Sequence, residues 1–280
     1  MNAIAEPPTR PILRYHGGKW VLAPWIISHF PPHRVYVEPC GGSASVLVRK
    51  PRSYGEIYND LDGELVNVFR VVRERGAELT TLLELTPFSR EEYRLSFVPS
   101  EDPMEQARRT VMRSYMGFGS NALCRTVKSG FRANSNRSGT TPAHDWRNYP
   151  GALPALIERL QGVVIENRDG VEVMLTHDGP ETLHYCDPPY VHSTRTKWAG
   201  GGSRSGYTHE MTDEQHRHFA AVLHELKGMV IVSGYHSPLY DELFDGWTRT
   251  ERKSLADGAR ERTEVLWMNF EMPDSDLFGL

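Results

Sequence analysis

Two rhythms of apolar and polar positions alternate along the chain. Runs of four to six mostly apolar residues, each ending in polar or turn residues, fall at Val35-Tyr36-Val37-Glu38, 55–58, 163–166, 183–186 and 229–233. Such runs read as central parallel strands buried on both faces. Helical spacing follows at Leu61, Leu65, Val68, Phe69 and Val72, and again at His218, Phe219, Val222, Leu223 and Leu226. Strand and helix in alternation predict an α/β fold with a doubly wound, mainly parallel sheet. Near the C-terminus, 248–253 and 263–270 flank the turn-like Ala256-Asp257-Gly258, which predicts an antiparallel hairpin on one sheet edge.

Roughly 100 residues separate the second and third runs, far more than one crossover needs. The first part is helical in pattern, and 117–150 is rich in Gly, Ser, Asn and Arg. We therefore expect a main domain from 1–61 and 161–280, with 62–160 inserted as a mainly helical subdomain. The glycine- and serine-rich piece at 199–206 is expected to be a mobile loop.

Composition narrows the class. The 280 residues are 39% hydrophobic and 24% charged, ordinary for a globular protein. No apolar run approaches the roughly 18 residues of a membrane helix, and the N-terminus lacks the basic-then-apolar pattern of a secretory signal. Cys40, Cys124 and Cys186 form neither a CxxC pair nor a disulfide framework, which suits a reducing cytoplasm. The net charge of −4 hides an uneven distribution. From 104 to 147, Arg108, Arg109, Arg113, Arg125, Lys128, Arg132, Arg137 and Arg147 face only Glu105 and Asp145. That local excess is a candidate nucleic-acid surface, with a solvated helix face as the plain alternative.

The sharpest chemical signal is Asp187-Pro188-Pro189-Tyr190, directly after an apolar run. A strand ending this way puts a carboxylate, a stiffened carbonyl and an aromatic face at the carboxyl edge of the sheet, where open α/β sheets bind ligands. These groups offer two acceptors for one amino group and a stacking surface for a planar ring. The amino group of a base is a weak nucleophile, and two acceptors aimed at its hydrogens favour the pyramidal, attacking form. A rigid turn with Asp187 as a helix cap is the bland alternative. A second signal, Glu38-Pro39-Cys40-Gly41-Gly42, follows the first run as a small-residue turn that lets a ligand approach the backbone. It is neither GxGxxG nor a Walker loop. Asp60 ends the second run, 18 residues after Gly42, where dinucleotide-type folds place a ribose-binding carboxylate.

Taken in order, these motifs resemble the Dam-like, alpha-class adenine-specific DNA methyltransferases, especially phage and prophage members. The resemblance covers Tyr15 to Phe270. Tyr15-His16-Gly17-Gly18-Lys19 is similar to the family's opening aromatic-x-Gly-Gly-Lys motif, which implies that Tyr15 and Lys19 contact S-adenosylmethionine. Glu38, Pro39, Gly41 and Gly42 match the first-strand cofactor motif, and Ile57-Tyr58-Asn59-Asp60 the acidic strand end. Ile165-Glu166-Asn167-Arg168-Asp169 resembles the segment whose aspartate binds the cofactor adenine, which nominates Asp169. Asp187, Pro188, Pro189 and Tyr190 match the catalytic motif, and Thr263-Glu264-Val265-Leu266-Trp267 the closing hairpin. Ala44 stands where relatives often carry Gly.

The resemblance implies methyl transfer from S-adenosylmethionine to the amino group of an adenine flipped out of double-stranded DNA, with no metal. It implies DNA contacts in the insertion, for which Arg125, Lys128, Arg132 and Arg137 are the candidates. The segments Gly117-Phe118-Gly119, Leu123-Cys124-Arg125 and Gly130-Phe131-Arg132 match the DNA-reading hairpin of GATC enzymes only loosely, so the target sequence stays open. Methylation of the cytosine amine, and a silent DNA-binding regulator, are the alternatives. His209, His216 and His218 are expected to pack rather than bind metal, and Cys186 to be a buried strand residue. Trp198, Tyr207 and Phe118 touch DNA or simply pack.

Overall fold

The computed structural model describes residues 7–119, 123, 129–133, 139–194, 209–256 and 260–271. Its centre is a seven-stranded sheet. In chain order the strands are β1 (Val35–Glu38), β2 (Gly55–Asn59), β3 (Val163–Glu166), β4 (Thr182–Cys186), β5 (Met229–Tyr235), β6 (Thr248–Ala256) and β7 (Arg260–Met268). Their order across the sheet is β3-β2-β1-β4-β5-β7-β6. β1 to β5 run parallel, and β7 is antiparallel to both β5 and β6. The chain leaves β1 toward one edge and resumes at β4 on the other side. A crevice therefore opens between these two strands at their carboxyl ends, the usual ligand position in such sheets.

Alternating side chains send Tyr36, Tyr58, Tyr185 and Ile231 into one apolar core, and Val37, Ile57, Cys186 and Val232 toward the opposite face. The first face is covered by α1 (Ala23–Ile27), α2 (Ser45–Arg49), α3 (Gly63–Leu85), α4 (Arg90–Leu95), α5 (Pro103–Met116), α6 (Pro142–Asn148) and α7 (Leu153–Leu160). The second is covered by α8 (Gly170–His177), α9 (Asp213–Glu225) and α10 (Pro238–Leu243). The described residues between β2 and β3 are thus mainly helical, and their core is continuous with that of the sheet. α3 starts where the Asp62 side chain accepts from the Glu64 N–H. It kinks at Arg75, beside Gly76, where a Cβ would fall 2.5 Å from Ile157 of α7. Among the described residues no helix is long and apolar enough to cross a membrane.

All five apolar runs are strands, and the C-terminal hairpin is present. One expectation needs correcting: β3 is not buried on both faces. It is an edge strand, and Val164 is 45% exposed because, among the described residues, no element covers it there. The helical faces also differ slightly. Leu61 precedes α3 and is exposed, and the buried row of α9 is His216, Phe219, Ala220 and Leu223, with His218 in solvent. The expected loop at 199–206 lies outside the described residues.

Candidate active site

The crevice at the ends of β1 and β4 is a cleft of about 770 Å³, open to solvent. Tyr15, Lys19, Glu38, Pro39, Gly41, Gly42, Asp60, Asp187 and Pro189 all line it. Its floor is built by close backbone approach. A Cβ on Gly41 would lie 2.2 Å from the Tyr58 ring, and one on Gly42 would lie 2.8 Å from the Tyr15 ring. Gly42 also has φ +51°, in the left-handed region that glycine tolerates. Ala44 adopts φ 50° as well, with a Cβ that resents it. Ala44 thus retains the backbone shape that a glycine would adopt freely.

Four carboxyl side chains, Glu38, Asp60, Asp62 and Asp187, line the cleft. Asp60 accepts from the Gly42 N–H and the Asp62 N–H, both at 2.8 Å, and burial lifts its pKa to about 6. Glu38 Oε2 accepts from the Tyr36 hydroxyl at 2.9 Å and the Leu47 N–H at 3.0 Å. Its pKa is raised to about 8, chiefly by burial. Asp169 does something different: its Oδ1 caps α8 by accepting from the Val171 and Glu172 N–H groups. Gly170, not Asp169, lines the cleft.

Asp187 and Tyr190 sit at this lining in a hydrogen-bonded cluster. Asp187 Oδ1 accepts from the Ser233 hydroxyl at 2.9 Å, and Tyr185 lies 3.0 Å behind Ser233. Asp187 Oδ2 is 2.8 Å from the Lys19 ammonium. That ammonium also donates to the Gly17 carbonyl and stands 4.8 Å from the centre of the Tyr190 ring. Tyr190 is buried, with its hydroxyl donating to Glu264 and its ring edge-on to Tyr235 at 4.6 Å. Pro188 is buried.

Ser233, Tyr235 and the side chain of Glu264 were missed from sequence as site residues. Each comes from β5 or β7, and only strand pairing brings them to Asp187. His209 lines the cleft too, whereas His216 packs against Tyr240. Among the described residues no cluster of His, Cys, Asp and Glu has metal-holding geometry.

The basic stretch divides. Arg108 and Arg109 are tied to Glu105, and Arg108 also to Glu92. Arg113 is fully buried against Glu64 and the Ser96 carbonyl. These three arginines are internal struts, so the charge excess available to a ligand is smaller than the sequence count. Arg132 is half-buried near Arg14, with Nη1 3.9 Å from Asp145. Gly117 and Phe131 form an antiparallel bridge, and Phe118 beside it is exposed. Arg125, Lys128 and Arg137 lie outside the described residues, as do Cys124, Trp198 and Tyr207.

A mostly parallel sheet in this order, with an open cleft at its switch point and Asp-Pro-Pro-Tyr on the adjoining strand end, defines a Rossmann-like methyltransferase. Residues 15–257 match the D12 class N6 adenine-specific DNA methyltransferases, and the chain belongs to that family. It is similar to the DNA adenine methylase of Escherichia coli K12, at 27% identity over 84% of each chain. It is also similar to the type II methyltransferase M1.LlaDCHI of Lactococcus lactis subsp. cremoris, at 27% identity over 93% of this chain and 95% of that one. The chain is an adenine-specific DNA methyltransferase: DNA is its substrate, and the family implies S-adenosylmethionine as methyl donor.

Proposed function

We propose that the cleft between β1 and β4 holds S-adenosylmethionine, and that Asp187, Pro188, Pro189 and Tyr190 present the amino group of an extruded adenine to it. The donor set suits such a molecule. Carboxyl groups at Glu38 and Asp60 border a space that a sulfonium and an ammonium would enter, and the Gly41-Gly42 turn leaves room for it. When bound, the donor supplies an electrophilic methyl group. Tyr15 and Lys19 border it, and Asp60 is the candidate for its ribose hydroxyls. Asp169 is the candidate for its adenine, through the oxygen that does not cap α8.

On the DNA side, Asp187 accepts from the adenine amine, and the Pro188 carbonyl is the second acceptor. Together they favour attack by the nitrogen lone pair. Tyr190 supplies the stacking face, which offsets the few kcal/mol that extrusion of the base costs. Phosphate and base contacts to double-stranded DNA fall to Arg125, Lys128, Arg132 and Arg137 of a recognition subdomain within 62–160. The Asp187 carboxylate carries this reading. It is 20% exposed, oriented by Ser233 and Lys19, and directly on the cleft.

The test is incubation with unmethylated genomic DNA and labelled donor, followed by mapping of the modified base. Asp187→Ala should retain donor binding and lose roughly 10²–10³ in turnover. Turnover like the parent's would remove Asp187 from the reaction.

A further inference from the structure

We propose that Glu264, on hairpin strand β7, is a positioning residue for methyl transfer, holding the Tyr190 ring and drawing the Lys19 ammonium partly away from Asp187. The proposal rests on Asp187 to Tyr190 being the reacting motif. Glu264 is almost fully buried, although Val265 and Leu266 beside it are apolar core residues. A buried carboxylate in a sheet is costly unless its partners repay the lost hydration. Here both partners belong to the site. The Tyr190 hydroxyl donates to Glu264 Oε1, and the Lys19 ammonium lies 3.8 Å from the same oxygen.

Asp187 Oδ1 accepts from Ser233, and its Oδ2 lies 2.8 Å from Lys19. Each oxygen keeps a further lone pair for an adenine amine, but a bound ammonium draws charge from it and weakens it as an acceptor. With Glu264 ionised, the ammonium is shared between two carboxylates, and Asp187 keeps more of its charge for the substrate. With Glu264 neutral, the ammonium is drawn more fully to Asp187, which becomes the weaker acceptor. The same carboxylate fixes the ring on which the base stacks, so one residue sets both the acceptor and the platform.

The groups facing Glu264 are Lys19 from the N-terminal segment, Asp187 and Tyr190 beyond β4, Tyr185 of β4 and Tyr235 of β5. Arg262 of its own strand lies over the Tyr235 ring, and Arg252 of β6 is its cross-strand neighbour. Burial outweighs Lys19 and Tyr190 and raises the carboxyl pKa to about 7. The ionised, productive form therefore grows as pH rises through neutrality.

Glu264→Gln keeps an oxygen for the Tyr190 hydroxyl but has no charge for Lys19. We expect kcat to fall about tenfold, the size of one charge-assisted hydrogen bond. Donor affinity and KM for DNA should stay within about twofold. The parent should show an acid-side inflection in kcat near pH 7 that the variant lacks. Tyr190→Phe removes the hydroxyl that favours ionisation, so its inflection should move to higher pH, and this arm stands even if the glutamine variant does not fold. An unchanged pH profile in either folded variant overturns the proposal, as does a parent-like kcat in Glu264→Gln. Asp187→Ala in the same assay separates the two ideas. Activity there defeats the motif itself, whereas an inactive Asp187→Ala beside a parent-like Glu264→Gln defeats only the role of Glu264.

Discussion

Glu38 ends β1 in a fully buried position, and its pKa of about 8 makes a quantitative statement about the donor-free protein. Against an ordinary value of 4.5, the folded state binds a proton there far more tightly than the unfolded chain does. The sign is therefore that of a raised carboxyl. Below pH 4.5 both states are protonated and nothing is lost. Between 4.5 and 8 the unfolded chain ionises while the fold does not, and stability declines. Above 8 the loss is complete. At 1.36 kcal/mol per unit, the penalty reaches up to about 3 kcal/mol at pH 7 and about 5 kcal/mol above pH 8. Glu38→Gln imitates the protonated side chain, with an amide oxygen placed to accept from Tyr36 and Leu47 as Oε2 does. The variant should match the parent near pH 4.5 and exceed it progressively toward pH 8.5, measured by urea unfolding without donor. Donor binding should show the other side of the balance. A cationic donor favours ionised Glu38, so the parent should release protons on binding at pH 7, and Glu38→Gln should bind more weakly and release fewer. Titration calorimetry in two buffers of different ionisation enthalpy measures this directly. A stability difference that stays constant across pH would mean that Glu38 is ionised in the empty fold, and the reasoning would fail.

Asp60→Asn should weaken donor binding roughly ten- to hundredfold, because one of two backbone N–H groups then faces an amide NH₂, and the loss should appear in calorimetry at pH 8. Asp169→Ala, by contrast, removes the cap of α8 and should lower stability by about 1 kcal/mol. If it leaves donor affinity untouched, capping is its whole role. Arg132→Ala should reduce DNA binding with no change in donor affinity, and a phosphate contact would lower the salt slope by about one unit. Binding equal to the parent's at every salt concentration would place recognition elsewhere.

What could be read from the chain was what is local. The strand runs, the turns after Glu38 and Asp187, and Asp60 each carry their meaning within a few residues, and the sheet brings them together at one edge. Glu264 and Ser233 were illegible as site residues because their place depends on the strand order β4-β5-β7. The edge exposure of Val164 depends in the same way on sheet order. The arginines of α5 misled for a related reason. A charge count treats Arg113 and Arg147 alike, yet only packing against Glu64 shows that Arg113 belongs to the interior. His218 and His216 are two residues apart, and the apolar stripe alone does not say which one turns inward.

Asn59 has a wider consequence. Fully buried at the end of β2, it donates to the Pro39 carbonyl at 2.8 Å and the Arg168 carbonyl at 3.0 Å, and accepts from the Arg168 N–H at 2.9 Å. One amide thus ties the loop after β1 to the loop after β3, while its own backbone carbonyl accepts from the Gly41 N–H. The two walls of the cleft are coupled and must shift together. An engineer who grafts a new loop at 39–43 to admit a bulkier donor therefore inherits the geometry of 167–170 as well. Replacing both segments as a matched pair, with Asn59 kept, is the route by which this cleft can be reshaped.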